Sequence, residues 1–308
     1  MADTAAVWAD GSAAREQLGR VGVWLGELGH TSWAQGRLAA RRIEELGYGA
    51  LWINESPGGK EPLAHAGLLL GATERITLAT GIANIWARDA VAARDGAYAL
   101  AEAHPGRFTL GLGVSHQPLV DVRGHDYDRP LAAMRGYLDG LDALPFDAPG
   151  PSRPVPLVLA ALRPRMLRLA GERTSGAHPY FTPAEHTARA RAALGDAALL
   201  APEVSIVLEA DPSAARERAR RFTAGCLQFP NYANNLRDLG FGDEDLAGGG
   251  SDRLVDAVVG WGDADAVVTH VRAHLDAGAD HVCVQPVGAP VDVVLAELER
   301  LAPALLAL

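Results

Sequence analysis

Short apolar runs alternate along this chain with longer stretches in which apolar residues recur every three or four positions. The short runs, bounded by Gly, Pro or charged residues, predict strands buried on both faces, and the longer stretches predict amphipathic helices packed over them. "GRVGVWLG" (19–26) predicts a strand and "SWAQGRLAARRIEELG" (32–47) a helix ended by Gly47. "GALWIN" (49–54) and "RITLAT" (75–80) repeat the strand pattern, with helices over 62–73 and 89–104 behind them. "GRFTLGLGV" (106–114) predicts the fourth strand, followed by a loop from Ser115 to about Pro130 and a helix over 131–144. Beyond the Pro-rich crossing "PFDAPGPSRPVP", strands over 156–161, 175–181, 203–210 and 280–287 alternate with helices over 164–172, 183–195, 212–225 and 263–278. A final helix follows the last strand. Pro164 suits a first helical turn, and Ser251 or Asp252 suits an N-cap.

Eight strand–helix units in 308 residues predict a (β/α)₈ TIM barrel. An open doubly wound sheet is the competing arrangement, but no GxGxxG opens a helix, and "GLG" at 111–113 lies within a strand. The chain therefore reads as one barrel domain over 1–308, with 226–262 an insertion before the last unit. At 48% hydrophobic and 21% charged residues, it has material for a large core. The net charge of −10 argues against nucleic acid or an anionic membrane as partner. Cys226 and Cys283 stand far apart, without metal-ligand spacing, and read as buried free thiols of a reducing compartment. With no signal-peptide pattern at the start and no run of 18 apolar residues, a soluble cytoplasmic protein is expected.

In a barrel, chemistry sits at the C-terminal ends of the strands. Those ends are Gly26–Glu27, Asn54–Glu55–Ser56, Gly81–Asn84, Val114–Ser115–His116, Ala161–Arg163, Tyr180–Thr182, Glu209 and Gln285–Pro286. No triad of metal ligands stands among them, so no metal is expected. His116 titrates near neutrality and either handles a proton or caps a loop. Glu55 either supports proton transfer, caps the next helix, or pairs with a loop lysine such as Lys60. Arg163, Arg165 and Arg168 at a helix start favour phosphate or form a solvated face. His270 and His274 read as a polar helix face, and Trp24, Trp52 and Trp86 as ligand walls or core. "TGIAN" (80–84) begins as a strand and loses the pattern at Gly81.

"LGYGALWINES", "ATERITLATGIANIWARD", "GRFTLGLGVSHQPLV", "YDRPLAAMRGYLDGLDA" and "GAHPYFTPAEHTARAR" together resemble the luciferase-like monooxygenase superfamily, and within it the coenzyme F420-dependent oxidoreductases. The resemblance implies a luciferase-type barrel, usually homodimeric, with a non-prolyl cis peptide in a bulge after the third strand. The matching bond is Gly81–Ile82, behind the flat ring of a deazaflavin or flavin, with Asn84 offering an amide to its polar edge. It also implies phosphate contacts from backbone at Ala161, Leu162 and Arg163 and at Tyr180, Phe181 and Thr182. The branch commonly has glycine where Arg163 stands. Acid–base groups are implied at the ends of strands two and four, hence Glu55 and His116, with Ser56 and Ser115 beside them as cofactor contacts. The related sugar-phosphate dehydrogenase carries Asp-His and Glu there, so its substrate is not expected. The implied function is hydride transfer between coenzyme F420 and an unknown small organic substrate, with loop 116–130 closing over the ring. The alternatives are a reduced-FMN-dependent monooxygenase and a non-catalytic flavin or deazaflavin carrier.

Overall fold

The computed structural model describes Trp8 and residues 10–308. Its parallel barrel strands are β1 (Val21–Trp24), β2 (Ala50–Ile53), β3 (Thr77–Thr80), β4 (Phe108–Gly113), β5 (Leu157–Leu159), β6 (Gly176–Ala177), β7 (Leu199–Leu200 and Glu203–Leu208) and β8 (Val282–Pro286). The break within β7 completes the ring of strands. Its first half pairs with β6 and its second with β8, which in turn pairs with β1. Pro202 has no N–H for the ladder, yet its carbonyl accepts from Cys283 N (2.9 Å), while Ala201 N and Glu203 N donate to Ala177 O and Pro179 O (2.9 and 2.8 Å). The sheet thus curls into a barrel, with each of these strands buried along its length.

Helix boundaries follow local chemistry. Ser32 and Gln35 form a capping box at helix Trp33–Glu45, and Asp89, Asp211, Ser251 and Asp263 each accept from the backbone N–H three residues on. Pro164 opens helix Pro164–Arg173 as expected. Gly47, at φ +93°, follows the end of the 33–45 helix.

Several elements depart from the sequence pattern. The strand expected over 175–181 pairs only at Gly176–Ala177, because Pro179 and the left-handed Phe181 (φ +57°) end the extended backbone. A helix at Gly11–Leu18, which the pattern does not announce, covers the N-terminal end of the barrel. There Arg15 donates to Asp196 O and Ala198 O, and Gln17 to Phe108 O. The pair read as a polar face is not one: His274 is fully buried, with its Nδ1 2.9 Å from Thr187 Oγ1, and His270 packs on Gly260. Both cysteines are buried and free.

The expected insertion holds helices Pro230–Asp238, Asp243–Leu246 and Asp252–Val258 and a strand, Val259–Gly262, paired with the upper half of β7. It carries an apolar cluster of its own, including Leu236, Phe241, Val255 and Val259, that joins Phe181 and Val207 at the barrel mouth. No helix among the described residues is long and apolar enough to cross a membrane.

Candidate active site

The pattern break at "TGIAN" is a bulge. After Thr80 the chain leaves β3 through a cis peptide at Gly81–Ile82 and pairs again as Ala83–Asn84 with Leu112 and Gly113 of β4. Thr80 Oγ1 spans the departure, donating to Gly111 O and accepting from Gly111 N, both at 2.8 Å. Gly81 lies between two rings: a Cβ there would stand 2.7 Å from Trp24 Nε1 and 3.0 Å from His178 Nε2. Trp24 Nε1 also donates to Gly81 O (3.1 Å).

Above the bulge is a cavity of about 360 Å³ at the C-terminal ends of the strands, a size suited to a small ligand. Of the sequence candidates, Glu55, Ser56, Gly81, Ile82, Ser115, His116, Ala161, Leu162 and Tyr180 line it. Four stand off the wall. Asn84 uses its side-chain oxygen to accept from Trp86 N (3.0 Å), and Arg163 is exposed and paired with Asp238 (2.9 Å). Phe181 N donates to the buried Glu203 (3.0 Å), and Thr182 Oγ1 is buried without a partner. Trp52 is core: its ring stacks on His178 at 4.4 Å and donates to His281.

Glu55 is held from three directions. Its Oε2 accepts from Asn84 N (2.8 Å) and Arg88 (2.9 Å), and its Oε1 from Arg123 (2.9 Å). Lys60 is not its partner, since the ammonium donates to Leu28 O and Thr31 O. Arg88, Arg123 and Lys60 belong to an adjoining pocket that shares Glu55 and Ser56 with the main cavity.

His116 caps nothing with its side chain. Its ring stacks on Phe229 at 4.2 Å and leans on Tyr232 at 4.8 Å, leaving Nδ1 buried without a partner. Burial among these rings pushes its pKa down to about 4, so the imidazole is neutral at pH 7. His178 is also neutral, with burial the main cause of a pKa near 4. Its Nδ1 donates to Ala201 O (2.7 Å), so Nε2 carries the lone pair and faces the Gly81 side unpartnered. Ser115 (φ +60°) and Phe181 (φ +57°) are non-glycine residues in the left-handed region, which is uncommon and concentrates at functional sites. Glu203 pins the second of them, accepting also from Ser205 Oγ (2.6 Å), and burial raises its pKa to about 7.

Sequence reading passed over His178, although it sits between apolar residues at the end of a strand. It also missed Leu119, Phe222, Gly225, Cys226, Phe229, Asn231 and Tyr232 as cavity lining. The available signal was the aromatic clustering in "RFTAGCLQFPNY" (221–232), just where the pattern leaves the barrel.

The sequence profile described as luciferase-like monooxygenase matches residues 16–281. A 5,10-methylenetetrahydromethanopterin reductase of Methanolobus tindarius is 30% identical over 153 residues, 44% of this chain and 47% of the relative. A Mycobacterium tuberculosis protein named for coenzyme F420-dependent oxidoreductase activity is 30% identical over 155 residues, 48% of this chain and 40% of the relative. These matches span less than half the length of either relative. Among solved structures, the coenzyme F420-dependent tetrahydromethanopterin reductase of Methanopyrus kandleri shares the fold, with a TM-score of 0.73 at 19% identity over 92% of this chain and 98% of that one. From its profile match and its barrel, this chain belongs to the luciferase-like monooxygenase family.

Proposed function

We propose that the cavity binds coenzyme F420 and that the protein is an F420-dependent oxidoreductase acting on a small organic substrate. The observation that carries this reading is the Gly81 bulge lining the cavity, packed so closely on Trp24 and His178 that only glycine fits there. The residues present fit a flat ring. Gly81 itself adds no side chain to the wall, and His178 Nε2 is an unpartnered acceptor beside it. Ala161 and Leu162 bring backbone to the wall on the β5 side. When bound, coenzyme F420 supplies two-electron hydride chemistry. His116 is the proton-handling group, because its ring lines the cavity in the neutral form. Glu55 is a positioning carboxylate, since both its oxygens are already engaged. The dimeric assembly implied by the family resemblance belongs to the same reading.

Titration with coenzyme F420 and with FMN, followed by fluorescence quenching, tests the reading directly; saturable F420 binding is expected, and binding of neither would end it. A reduced-FMN monooxygenase is the second reading, because the matched family is named for monooxygenases. Oxygen uptake coupled to substrate loss would favour it. His116→Ala should slow single-turnover hydride transfer by about 10²- to 10⁴-fold. An unchanged rate with a true substrate would remove the role.

Glu55→Gln should cost about 3 kcal/mol in urea denaturation, because it discharges one member of a buried ion-pair cluster. Its pH–rate profile should keep the wild-type shape. Loss of one limb of that profile would instead make Glu55 a proton carrier.

A further inference from the structure

Resting on the function just proposed, we infer that the substrate carries a carboxylate, and that this group sits in the adjoining side pocket, away from the cofactor's own phosphate. The side pocket measures about 300 Å³ and shares Glu55 and Ser56 with the main cavity, so one small molecule can reach into both. Its charged wall belongs to one side of the barrel mouth. Glu55 follows β2, Arg88 follows the bulge that leaves β3, and Arg123 follows β4. The backbone that the family resemblance implies for phosphate follows β5 and β6, where Ala161, Leu162 and Tyr180 line the main cavity.

The charges of the side pocket do not cancel. Lys60, Arg88 and Arg123 stand against Glu55 and Glu61, which leaves one positive charge in excess. Glu55 is met by both arginines and by Asn84 N, while Glu61 pairs with Arg88 alone and keeps 48% of its side chain exposed. Among the described residues no carboxylate pairs with Lys60. Its ammonium donates to Leu28 O (2.8 Å) and Thr31 O (2.6 Å), which leaves the third N–H of the group for a ligand. Desolvation pulls its pKa below the ordinary lysine value, the mark of a cation without a counter-charge. A carboxylate in the pocket supplies that counter-charge through a charge-assisted hydrogen bond. One excess positive charge matches a single anionic group. With a net charge of −10 on the whole chain, an anion depends on local cations of this kind.

The test compares 4-oxopentanoate with 4-oxopentanamide, which match in shape and differ in charge. Calorimetry on the whole protein is expected to show the acid binding at least about tenfold more tightly than the amide. Gly58 lines the pocket at φ +80° with open space around an added Cβ, a backbone that Asn and Asp tolerate best. The acid-to-amide ratio should fall at least about fivefold from Gly58→Asn to Gly58→Asp, two variants that share any backbone strain and differ in one charge. Lys60→Gln should remove most of the ratio and Lys60→Arg should restore it, with circular dichroism to show that each variant is folded. Equal binding of acid and amide overturns the inference, as does no binding of the acid at millimolar concentration or a ratio indifferent to the Gly58 and Lys60 variants. The same titrations on protein saturated with coenzyme F420 should keep the ratio. A ratio that collapses to one on saturation gives the side pocket to the cofactor's anion and overturns the inference too. Failure of coenzyme F420 to bind counts against the proposed cofactor alone, because the ratio and its variants are also read on the free protein.

Discussion

Acidification from pH 7 to pH 5.5 is expected to remove about 6 kcal/mol of folding stability, enough to bring a protein of ordinary stability close to unfolding. The cause is a set of histidines buried in the neutral form. Burial pushes His65, His116, His178, His270 and His281 down to about 4 and His274 to about 3, all from an ordinary value of 6.5. Between those limits the unfolded chain holds protons that the folded chain refuses. Stability is therefore present in full above pH 6.5 and is lost as the pH falls toward 4. Each such group contributes a slope of about 1.4 kcal/mol per pH unit once the unfolded imidazole is protonated. Glu203 opposes the trend. Its folded pKa is raised from 4.5 to about 7, so its contribution is fully present below 4.5 and lost as the pH rises through 7. One carboxylate offsets only part of six imidazoles. Urea denaturation followed by circular dichroism from pH 8 to pH 4.5 measures the slope directly. His274→Gln, remote from the cavity, should reduce that slope by about 1.4 kcal/mol per pH unit whatever its effect on stability itself. A flat profile between pH 7 and pH 5 would contradict the burial argument.

Gly111→Ala should lose more than about 4 kcal/mol or fail to accumulate as folded protein. A Cβ at this position would overlap Thr80 O and reach Val158 Cγ2 at 3.4 Å. Both are fixed: Thr80 is tied to Gly111 through its hydroxyl, and Val158 sits in β5 at 0% exposure. Backbone cannot step aside as a flexible side chain would, so β3 and β4 must separate where the bulge begins. Gly136→Ala is the control, because that glycine lies in helix Pro130–Leu141 with nothing within 4 Å of the added methyl. It should stabilise by up to about 1 kcal/mol. Urea midpoints of the two variants measured together decide the matter, and a Gly111→Ala protein within 1 kcal/mol of wild type would show that the strands can part without cost.

The two predictions draw on different depths of information. Gly81 and Gly111 are visible in the sequence as interruptions of apolar runs, Gly81 at a strand end and Gly111 within a strand. No local pattern says that a Cβ at Gly111 meets Thr80 O, since the contact joins neighbouring strands about 30 residues apart in sequence. Glu55 shows the same division. Its place after β2 follows from "ALWINES", but its choice of Arg88 and Arg123 over nearby Lys60 follows from how the loops fold over the barrel. Helix periodicity misjudged His274, because the residue lies on the buried face with Val267, Val271 and Leu275, while Asp265, Thr269, Arg272 and Asp276 form the exposed one. Residue type alone does not say which face a histidine takes. The helix Gly11–Leu18 escaped notice because its small and polar residues carry little apolar signal; Asp10 accepting from Ala13 N and contacts with the barrel floor hold it instead.

By itself, then, the order of residues determined the alternation of strands and helices, the capped helix starts, the parallel α/β class of fold and the loss of strand pattern at Gly81. These depend on periodicity, backbone freedom and nearby hydrogen bonds, all of which act over a few residues. Only the tertiary structure decided that β7 breaks at Pro202 to serve two neighbours, that His116 rests on Phe229, and that the cavity histidines are neutral. Stacking and proton affinity depend on which distant groups exclude water, and that is settled only when the barrel closes.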